Sequence, residues 1–530
     1  MAGLQELIIP VIFFITLAFF LLRRRYTARK IQLPSPGKLP IIGNLHQLGK
    51  LPHRSLQSLS KRYGQLMLLH LGNVEVVVAS SAAAAGEIMK NQDLIFSNRP
   101  ELSIPGRLLY GGRDVAFSRY ADYWRQMRSI CVLQLLSNKK VRSFRGVREE
   151  ETSLMVEKIE QLGRSSTVVN LSDQLLGMSN GVICRVALGR KYGGEENRFK
   201  RILAEFIELF GTSPVGDYIP WLAWIDRVNG LDARVERVAK LFDEFLEDVV
   251  RDHRDRKKLS AMVGDDDDDD DDDAELDFVD ILLQFQRENE NTSPVEDEAI
   301  KALILDMFAA GTDTSFAAME WTIAELIRNP TIMKTLQNEV RKVVGRKGEI
   351  EEQDLEKMTY LKAVIKESLR LHPPSPLLVP RESTQDTKVL GYGVVSGTCV
   401  VINAWAIGQD PTLWENPEEF SPERFLDTSI DFKGQHFEFI PFGAGRRGCP
   451  GTAYAMAVNE LAIAKLVHKF NFTLPNGGRG EDLDMTEANG ITVHKKKSNA
   501  CNHIKILMLA TLYLTSYLLY KNNEFRLELM

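Results

Sequence analysis

Cysteine is scarce in this chain: Cys131, Cys184, Cys399, Cys449 and Cys501 are the five in 530 residues. They are odd in number and widely scattered, which argues against a disulfide framework and for a reducing compartment. No C-x-x-C pair or H-x-x-x-H spacing suggests a zinc site. Excess positive charge is missing too. Sixty-six Lys and Arg face 72 Asp and Glu, for a net charge of −6. Nine of the acids form the run 265–273, so the remainder of the chain lies near +3 and no basic field points to nucleic acid. Internal repeats are absent, and long apolar runs are confined to the two ends.

The first run, LIIPVIFFITLAFFLL at 7–22, is followed by RRRYTARK. A cleaved signal peptide has its positive charge before the apolar core and small residues after it. Here the charge follows the core, so residues 1–22 read as a retained membrane anchor. Arg23, Arg24, Arg25, Arg29 and Lys30 then place everything downstream on the cytosolic side. Residues 23–44 form a basic, proline-rich linker that includes LPSPGKLPIIGN. Residues 45–500 are expected to form one domain, and 501–530 an atypical apolar tail. Helical periods dominate to about residue 370, with strand-like pieces such as VEVVVA at 74–79. The stretch after residue 375 is loop-rich, with short strands such as TCVVINAW, and ends in a long helix near 452–470. The expected class is mainly α with small β-sheets. The Asp run separates helical patterns at 231–258 and 276–288. Adjacent carboxylates repel and resist burial, so it reads as a solvated loop rather than a calcium site.

PFGAGRRGCPG at 441–451 allows two readings. Gly443, Gly445 and Gly448 spell the dinucleotide fingerprint G-x-G-x-x-G. That motif needs a doubly wound strand–loop–helix unit and an acid about twenty residues on. Residues 463–472 contain no acid, and the flanking pieces do not alternate as that fold requires. The other reading centres on the Cys449 sulfur. Glycines let backbone N–H groups approach a thiolate, a helix N-terminus beyond adds partial positive charge, and Arg446 and Arg447 supply cations.

At this point the chain resembles a family. FGAGRRGCPG is similar to the heme-ligand loop of the cytochrome P-450 monooxygenases, F-x-x-G-x-R-x-C-x-G, met by Phe442, Gly445, Arg447, Cys449 and Gly451. Four further segments match in the family's order. AAGTDTS at 309–315 resembles the oxygen-activation stretch of the long central helix. KESLRLHPP at 366–374 carries E-x-x-R, FSPERF at 420–425 carries P-E-R-F, and YWRQMR at 123–128 carries W-x-x-x-R. The wording of WRQMRSIC, INAWAIGQDP and GITVHKK is similar to plant microsomal members of the large family 71.

The resemblance implies a cytochrome P-450 fold holding heme b, with Cys449 as axial iron ligand. A thiolate pushes electron density onto iron and favours O–O cleavage. Trp124, Arg128, Arg381, Arg447 and His372 are implied as groups that bind the heme propionates, a role that suits the bidentate guanidinium fork. Phe442, Gly443, Gly451 and Ala310 are implied to line the cofactor. Glu367 and Arg370 share a helix face at i and i+3. With Arg424 they would form a buried structural triad. LILDMFAAGTDTSFAAMEW should be one long helix with Asp306, Ala310 and Thr314 facing one way. Small residues before Thr314 would allow a local widening over the heme, while Thr314 and Asp313 relay protons from water. By family analogy the substrate pocket takes residues from 108–117, Ala310, Leu377 to Val379, and the turn at Gly490 and Ile491. Trp221 and Trp224 either touch the membrane or pack on a neighbouring helix.

The implied activity is an O2- and NADPH-dependent monooxygenation of a hydrophobic plant specialised metabolite such as a terpenoid, a phenolic or coumarin, or an alkaloid. Electrons would come through a separate NADPH-cytochrome reductase, because no nucleotide-binding segment is visible. The implied location is the endoplasmic reticulum membrane, with lipid contact, one span and a cytosolic catalytic domain. Two other readings stay open: a heme-thiolate isomerase, lyase or oxime dehydratase that needs no O2, and a heme-bound protein without turnover. The tail departs from the family pattern. The run 504–520 is either a second span or a misread gene end, or it lies cytosolic against the domain. A second span would carry Lys521 and Arg526 across the membrane, so the cytosolic placement is expected.

Overall fold

Helix formation follows the apolar periods. The structure, a computed structural model, describes residues 33–165, 168–191, 196–263, 276–291, 294–474, 478–496 and 503–508. The anchor at 1–22, the Asp run and most of the tail lie outside these residues. Among the described residues no helix is long and apolar enough to cross a membrane. The helices that build the site are, in chain order, α1 (Asp122–Ile130), α2 (Arg145–Ser165), α3 (Leu171–Leu188), α4 (Leu231–Val263), α5 (Phe278–Glu288), α6 (Asp297–Arg328), α7 (Thr359–Leu371) and α8 (Thr452–Lys469).

Helix α6 is the axis of the molecule. Its sequence is apolar on every side, as a helix enclosed all round must be. Between Ala299 and Ile327 only Ala309, Ala310, Gly311 and Thr314 are not buried, and three of these four line the central cavity. Helix α3 lies against α6. A Cβ added at Gly311 would stand 3.1 Å from Ile183 Cδ1. Helix α6 runs unbroken through this point, so Gly311 serves the close approach of α3 rather than the local widening expected from the sequence.

The strands are β1 (Leu66–Leu71), β2 (Val74–Ala79), β3 (Val169–Asn170), β4 (Arg381–Glu382), β5 (Thr387–Val389), β6 (Tyr392–Val394), β7 (Cys399–Ile402), β8 (Phe470–Thr473) and β9 (His503–Met508). They form a four-stranded sheet in the order β1-β2-β7-β4, a three-stranded sheet β3-β9-β8, and the pair β5-β6. Strand β7 stops at Ile402 because the Asn403 side chain caps a short helix, Ala404–Gly408, by accepting from Ala406 N at 2.9 Å. TCVVINAW is therefore half strand and half helix.

Two expected boundaries shift. The described end of the proline-rich linker docks on the sheet: Leu33 is buried, Leu68 N donates to Pro34 O at 2.8 Å, and Gly43 bridges to Leu71. Gly43 has φ +60, and a Cβ there would lie 2.0 Å from His70 O, so glycine is required. At the other end β9 pairs antiparallel with β8, Phe470 opposite Met508, and with β3. Residues 503–508 thus complete a sheet of the domain instead of starting a separate tail at 501.

Candidate active site

The loop carrying Cys449 is shaped by glycines. Gly443 and Gly445 have φ +66 and +68, and a Cβ at Gly445 would meet Met89 O at 2.3 Å. Gly448 N donates to Gly445 O at 2.9 Å and Cys449 N to Phe442 O at 2.9 Å. These bonds fold the loop into a tight cup with α8 starting at Thr452. The sulfur faces a central cavity of about 270 Å³, lined also by Ala310, Thr314, Phe442, Gly443 and Gly451. It lies deep among protein atoms yet is open from the cavity side. Burial pushes its thiol above the ordinary range, while the Gly451 N–H, the Arg128 charge and the Thr452 hydroxyl pull the other way. The donor set is thus arranged around a sulfur that becomes a thiolate when something at the cavity floor stabilises its charge.

Four arginines, Arg99, Arg128, Arg381 and Arg447, line the same cavity with Trp124. Arg447 donates to Ser97 O (2.7 Å), Val115 O (3.2 Å) and Ser118 O (2.6 Å), and its guanidinium lies 4.2 Å over the Trp124 ring. Trp124 Nε1 donates to Val115 O at 3.0 Å. Arg128 donates to Gly448 O at 2.7 Å, and Arg381 to Ala444 O at 2.8 Å with Asp93 at 3.5 Å. Burial and then the Arg381 charge lower Arg447 to about 9, while burial and then Arg447 push Arg99 well below its ordinary value. Most of these bonds end on neutral carbonyls. So many guanidinium groups beside two nearby carboxylates, Asp93 and Asp114, leave positive charge uncompensated. A planar ligand with an axial sulfur bond and anionic edge groups, as heme has, fits this donor set.

Above the sulfur, Thr314 faces the cavity and donates its hydroxyl to Ala310 O at 2.6 Å. Its neighbour Asp313 points elsewhere, to His494 Nε2 at 2.9 Å. Asp306 lines the cavity and holds the loop after Arg113 by accepting from Val115 N at 2.6 Å. Burial, then the charge of Asp114, pushes the Asp306 carboxyl well above its ordinary range, against the pull of its backbone N–H donors. Asp114, fully buried, rises to about 6, also through burial. Val115 is the hub: its N–H binds Asp306 and its carbonyl binds Trp124 and Arg447. Arg99 closes the loop from behind, donating to Ala116 O at 2.8 Å and to Val379 O at 2.7 Å.

The E-x-x-R residues meet as a buried network. Arg370 donates to both Glu367 oxygens, at 2.8 and 2.7 Å, and Arg424 Nε to Oε1 at 2.9 Å. Three other expectations are displaced. His372 pairs with Glu325 at 2.7 Å and stacks on Trp321 at 4.2 Å. It is not among the cavity residues, because the chain turns away at the end of α7. Leu377 packs toward the β1–β2 side, and Leu378 takes the cavity position beside Val379. The physical reason is a turn with φ +53 at Leu378, which reverses which leucine faces inward. Ile491 is not among the lining residues; the turn at Gly490 abuts Gly211, whose added Cβ would lie 3.2 Å from Gly490 Cα. Sequence reasoning missed Arg99 and His494, and it included Asp114 and Leu378 only within the stretches 108–117 and 377–379 without singling them out. None carries a local signal, since each is brought in by loop geometry.

The comparisons agree with this geometry. The family model described as Cytochrome P450 matches residues 33–502. The chain is 63% identical over 492 residues to "Cytochrome P450 71A6" of Nepeta racemosa, covering 90% of this chain and 95% of that one. It is 59% identical to "(+)-menthofuran synthase" of Mentha piperita over 92% and 94% of the two chains. It is 48% identical to "Tabersonine/lochnericine 19-hydroxylase" of Catharanthus roseus over 91% and 94%. Among solved structures, a zebra fish cytochrome P450 with abiraterone superposes with a TM-score of 0.71 at 24% identity, covering 87% of this chain and 99% of that one. With a family match over nearly the whole described chain and a sulfur cup, arginine ring and long central helix in place, this chain belongs to the cytochrome P450 family, as a heme-thiolate monooxygenase of the plant family 71 kind.

Proposed function

We propose that the protein hydroxylates, or oxidises in a related way, a hydrophobic plant specialised metabolite of the terpenoid or alkaloid class, with electrons from NADPH through a separate reductase. The observation that carries this reading is the cavity over Cys449, walled by Val115, Ile183, Ala310, Leu369, Leu378 and Val379, with Thr314 beside Ala310 among its hydroxyl-bearing residues. Similarity to proteins named as a menthofuran synthase and an alkaloid hydroxylase supports it. Heme bound at Cys449 supplies dioxygen activation by an electron-rich iron. Arg128, Arg381, Arg447 and Trp124 would hold the cofactor edge and keep its plane fixed. The apolar wall binds and orients the substrate while excluding bulk water. Thr314 lines the cavity with its hydroxyl resting on Ala310 O, from where it can turn to a bound ligand. Asp313, paired with His494 away from the cavity, is the nearest acid on the helix.

Membrane attachment belongs to the same proposal: one span at 1–22 in the endoplasmic reticulum, with the domain cytosolic. Exposed Trp221, Trp224 and Val228 support it, together with exposed Leu39 and Ile41 on the segment that enters the domain. The two stretches adjoin through the β1–β2 turn, because Gly43 bridges to Leu71 and Asn73 N donates to Tyr218 O. The test is NADPH and O2 consumption by the full chain with a plant reductase and a panel of monoterpenes, phenolics and indole alkaloids. Oxygenated product in step with both is expected. Conversion of a substrate without O2 would instead establish a heme-thiolate isomerase, lyase or dehydratase.

A further inference from the structure

We propose that Lys301 is a positioning residue of the substrate cavity: with Asp243 and Tyr110 it latches the segment 103–113 against the cavity wall and sets how long a ligand stays. This inference rests on the reading of the cavity given above. Lys301 is 7% exposed and sits in α6 between Ile300 and Ala302, both buried and apolar. A buried ammonium is costly unless it is paired. Its Nζ donates to Asp243 Oδ1 at 2.6 Å and to Glu247 Oε2 at 3.2 Å, one turn apart on α4. The Tyr110 hydroxyl donates to the same Asp243 oxygen at 2.9 Å, and its ring centre lies 5.3 Å from the ammonium. One cation and one carboxylate oxygen therefore join three separate segments. Burial alone would lower the Lys301 ammonium, but the bonds to Asp243 and Glu247 outweigh it and hold it above its ordinary range.

The segment that carries Tyr110 reaches the cavity at both ends. Arg99 lines the wall just before it, and Val115 and Ala116 line the wall just after it. It contains the short helix Ser103–Leu108, with Ile104, Leu108 and Leu109 buried. The chain then turns back through Tyr110, Gly111 and Gly112, three successive residues with φ +52, +70 and +85. Glycine takes that conformation freely, whereas tyrosine takes it at a cost. The hydroxyl bond to Asp243 holds Tyr110 there, and the two glycines let the chain swing when that bond opens. Two further ion pairs of the segment are more open. Arg107 reaches Asp232 at 2.8 Å with its side chain 33% exposed, and Arg113 reaches Glu296 with 37% exposed. Pairs so open to water contribute little. The fastening at Tyr110, built on a buried cation, is the firm one.

The test follows two azoles, bulky clotrimazole and small imidazole, binding to the heme-loaded full chain. Stopped flow reads their rates from the shift of the Soret band. Tyr110→Phe and Lys301→Met should each speed clotrimazole release roughly fivefold or more. Imidazole, small enough to pass a closed roof, should leave at the wild-type rate in both. Asp243 and Glu247 are half-exposed, so added salt should speed clotrimazole release from the wild-type chain and leave Lys301→Met unchanged. Tyr110→Phe and Asp243→Asn together should speed release by less than the product of their separate effects, because they act on one shared oxygen. Wild-type clotrimazole rates in Tyr110→Phe, or equal acceleration of both azoles, would overturn the proposal. A Lys301→Met chain that loses its heme leaves Tyr110→Phe to decide, since that change deletes only a hydroxyl. A heme-loaded wild-type chain that shows no shift with clotrimazole would instead sink the reading of the cavity. A shift in every protein with unchanged rates would remove only the latch.

Discussion

Removing the Glu367 carboxylate should be among the most damaging single changes in this protein. Glu367 is fully buried and accepts four hydrogen bonds: two from Arg370, one from Arg424 Nε and one from Ser421 N, between 2.7 and 2.9 Å. Arg370 is buried too, and its remaining bonds go to the carbonyls of Gly408, Pro417 and Glu419. In Glu367→Ala those carbonyls cannot neutralise the guanidinium, so a buried charge is left unpaired, at a cost of about 3–5 kcal/mol. A domain of marginal stability has ~5–15 kcal/mol in all. Arg424→Ala should cost less, about 1.5–3 kcal/mol, because Arg424 is partly exposed and Glu367 keeps Arg370. The double variant should cost less than the sum, since deleting Arg424 removes one of the two stranded cations. The assay is thermal unfolding with heme content per protein. The reasoning is wrong if Glu367→Ala melts within a degree or two of wild type, or if Arg424→Ala is the worse variant.

Three further outcomes follow from the geometry. Asp306→Ala should loosen the loop at Val115 and weaken substrate binding by about 1–3 kcal/mol, whereas Asp306→Asn should stay close to wild type because its amide oxygen can still accept from Val115 N; Kd from the heme spin-state titration distinguishes them. Thr314→Ala should bind heme and consume NADPH while releasing hydrogen peroxide in place of product, and equal coupling in both proteins removes Thr314 from the chemistry. Burial raises Glu487, but its bonds to His53 and Arg54 outweigh that and bring it down to about 2. A depressed acid contributes stability that is present above its unfolded value and lost as pH falls. Glu487→Gln should therefore lower the unfolding free energy at pH 7 by up to about 3 kcal/mol, seen as a lower Tm, and the gap should close as pH falls from about 4.5 toward 2.

Much of the site was legible because its chemistry is local. The glycines around Cys449 show in sequence as a loop that only glycine can turn, and Gly443 and Gly445 do have positive φ. The i, i+3 spacing of Glu367 and Arg370 sets their shared face before any fold is known. Helix α6 could be read from its apolar run, and so could the inward direction of Ala310 and Thr314. What escaped depends on loops and on contacts between distant segments. One positive-φ residue, Leu378, exchanges the roles of two leucines. Asp306 looked like a helix-face residue until the loop at Val115 closed on it from 191 positions away. His494 sits 181 positions from Asp313 in the numbering, and nothing in GITVHKK shows which residue the ring will face. The tail misled for a related reason. The mainly apolar run that begins at Ile504 reads as a short membrane span, whereas His503 to Met508 pair with β3 and β8.

The central claim is that Cys449 carries the heme iron as a thiolate, and one spectrum tests it. Reduced protein under carbon monoxide should show the strongly red-shifted Soret band of sulfur ligation. Cys449→Ala, and Cys449→His as a ligand of different softness, should lose that band while the fold seen by circular dichroism persists. A red-shifted band that survives in Cys449→Ala would contradict the account, because no other cysteine, and so no other thiolate, is among the residues lining the described cavity.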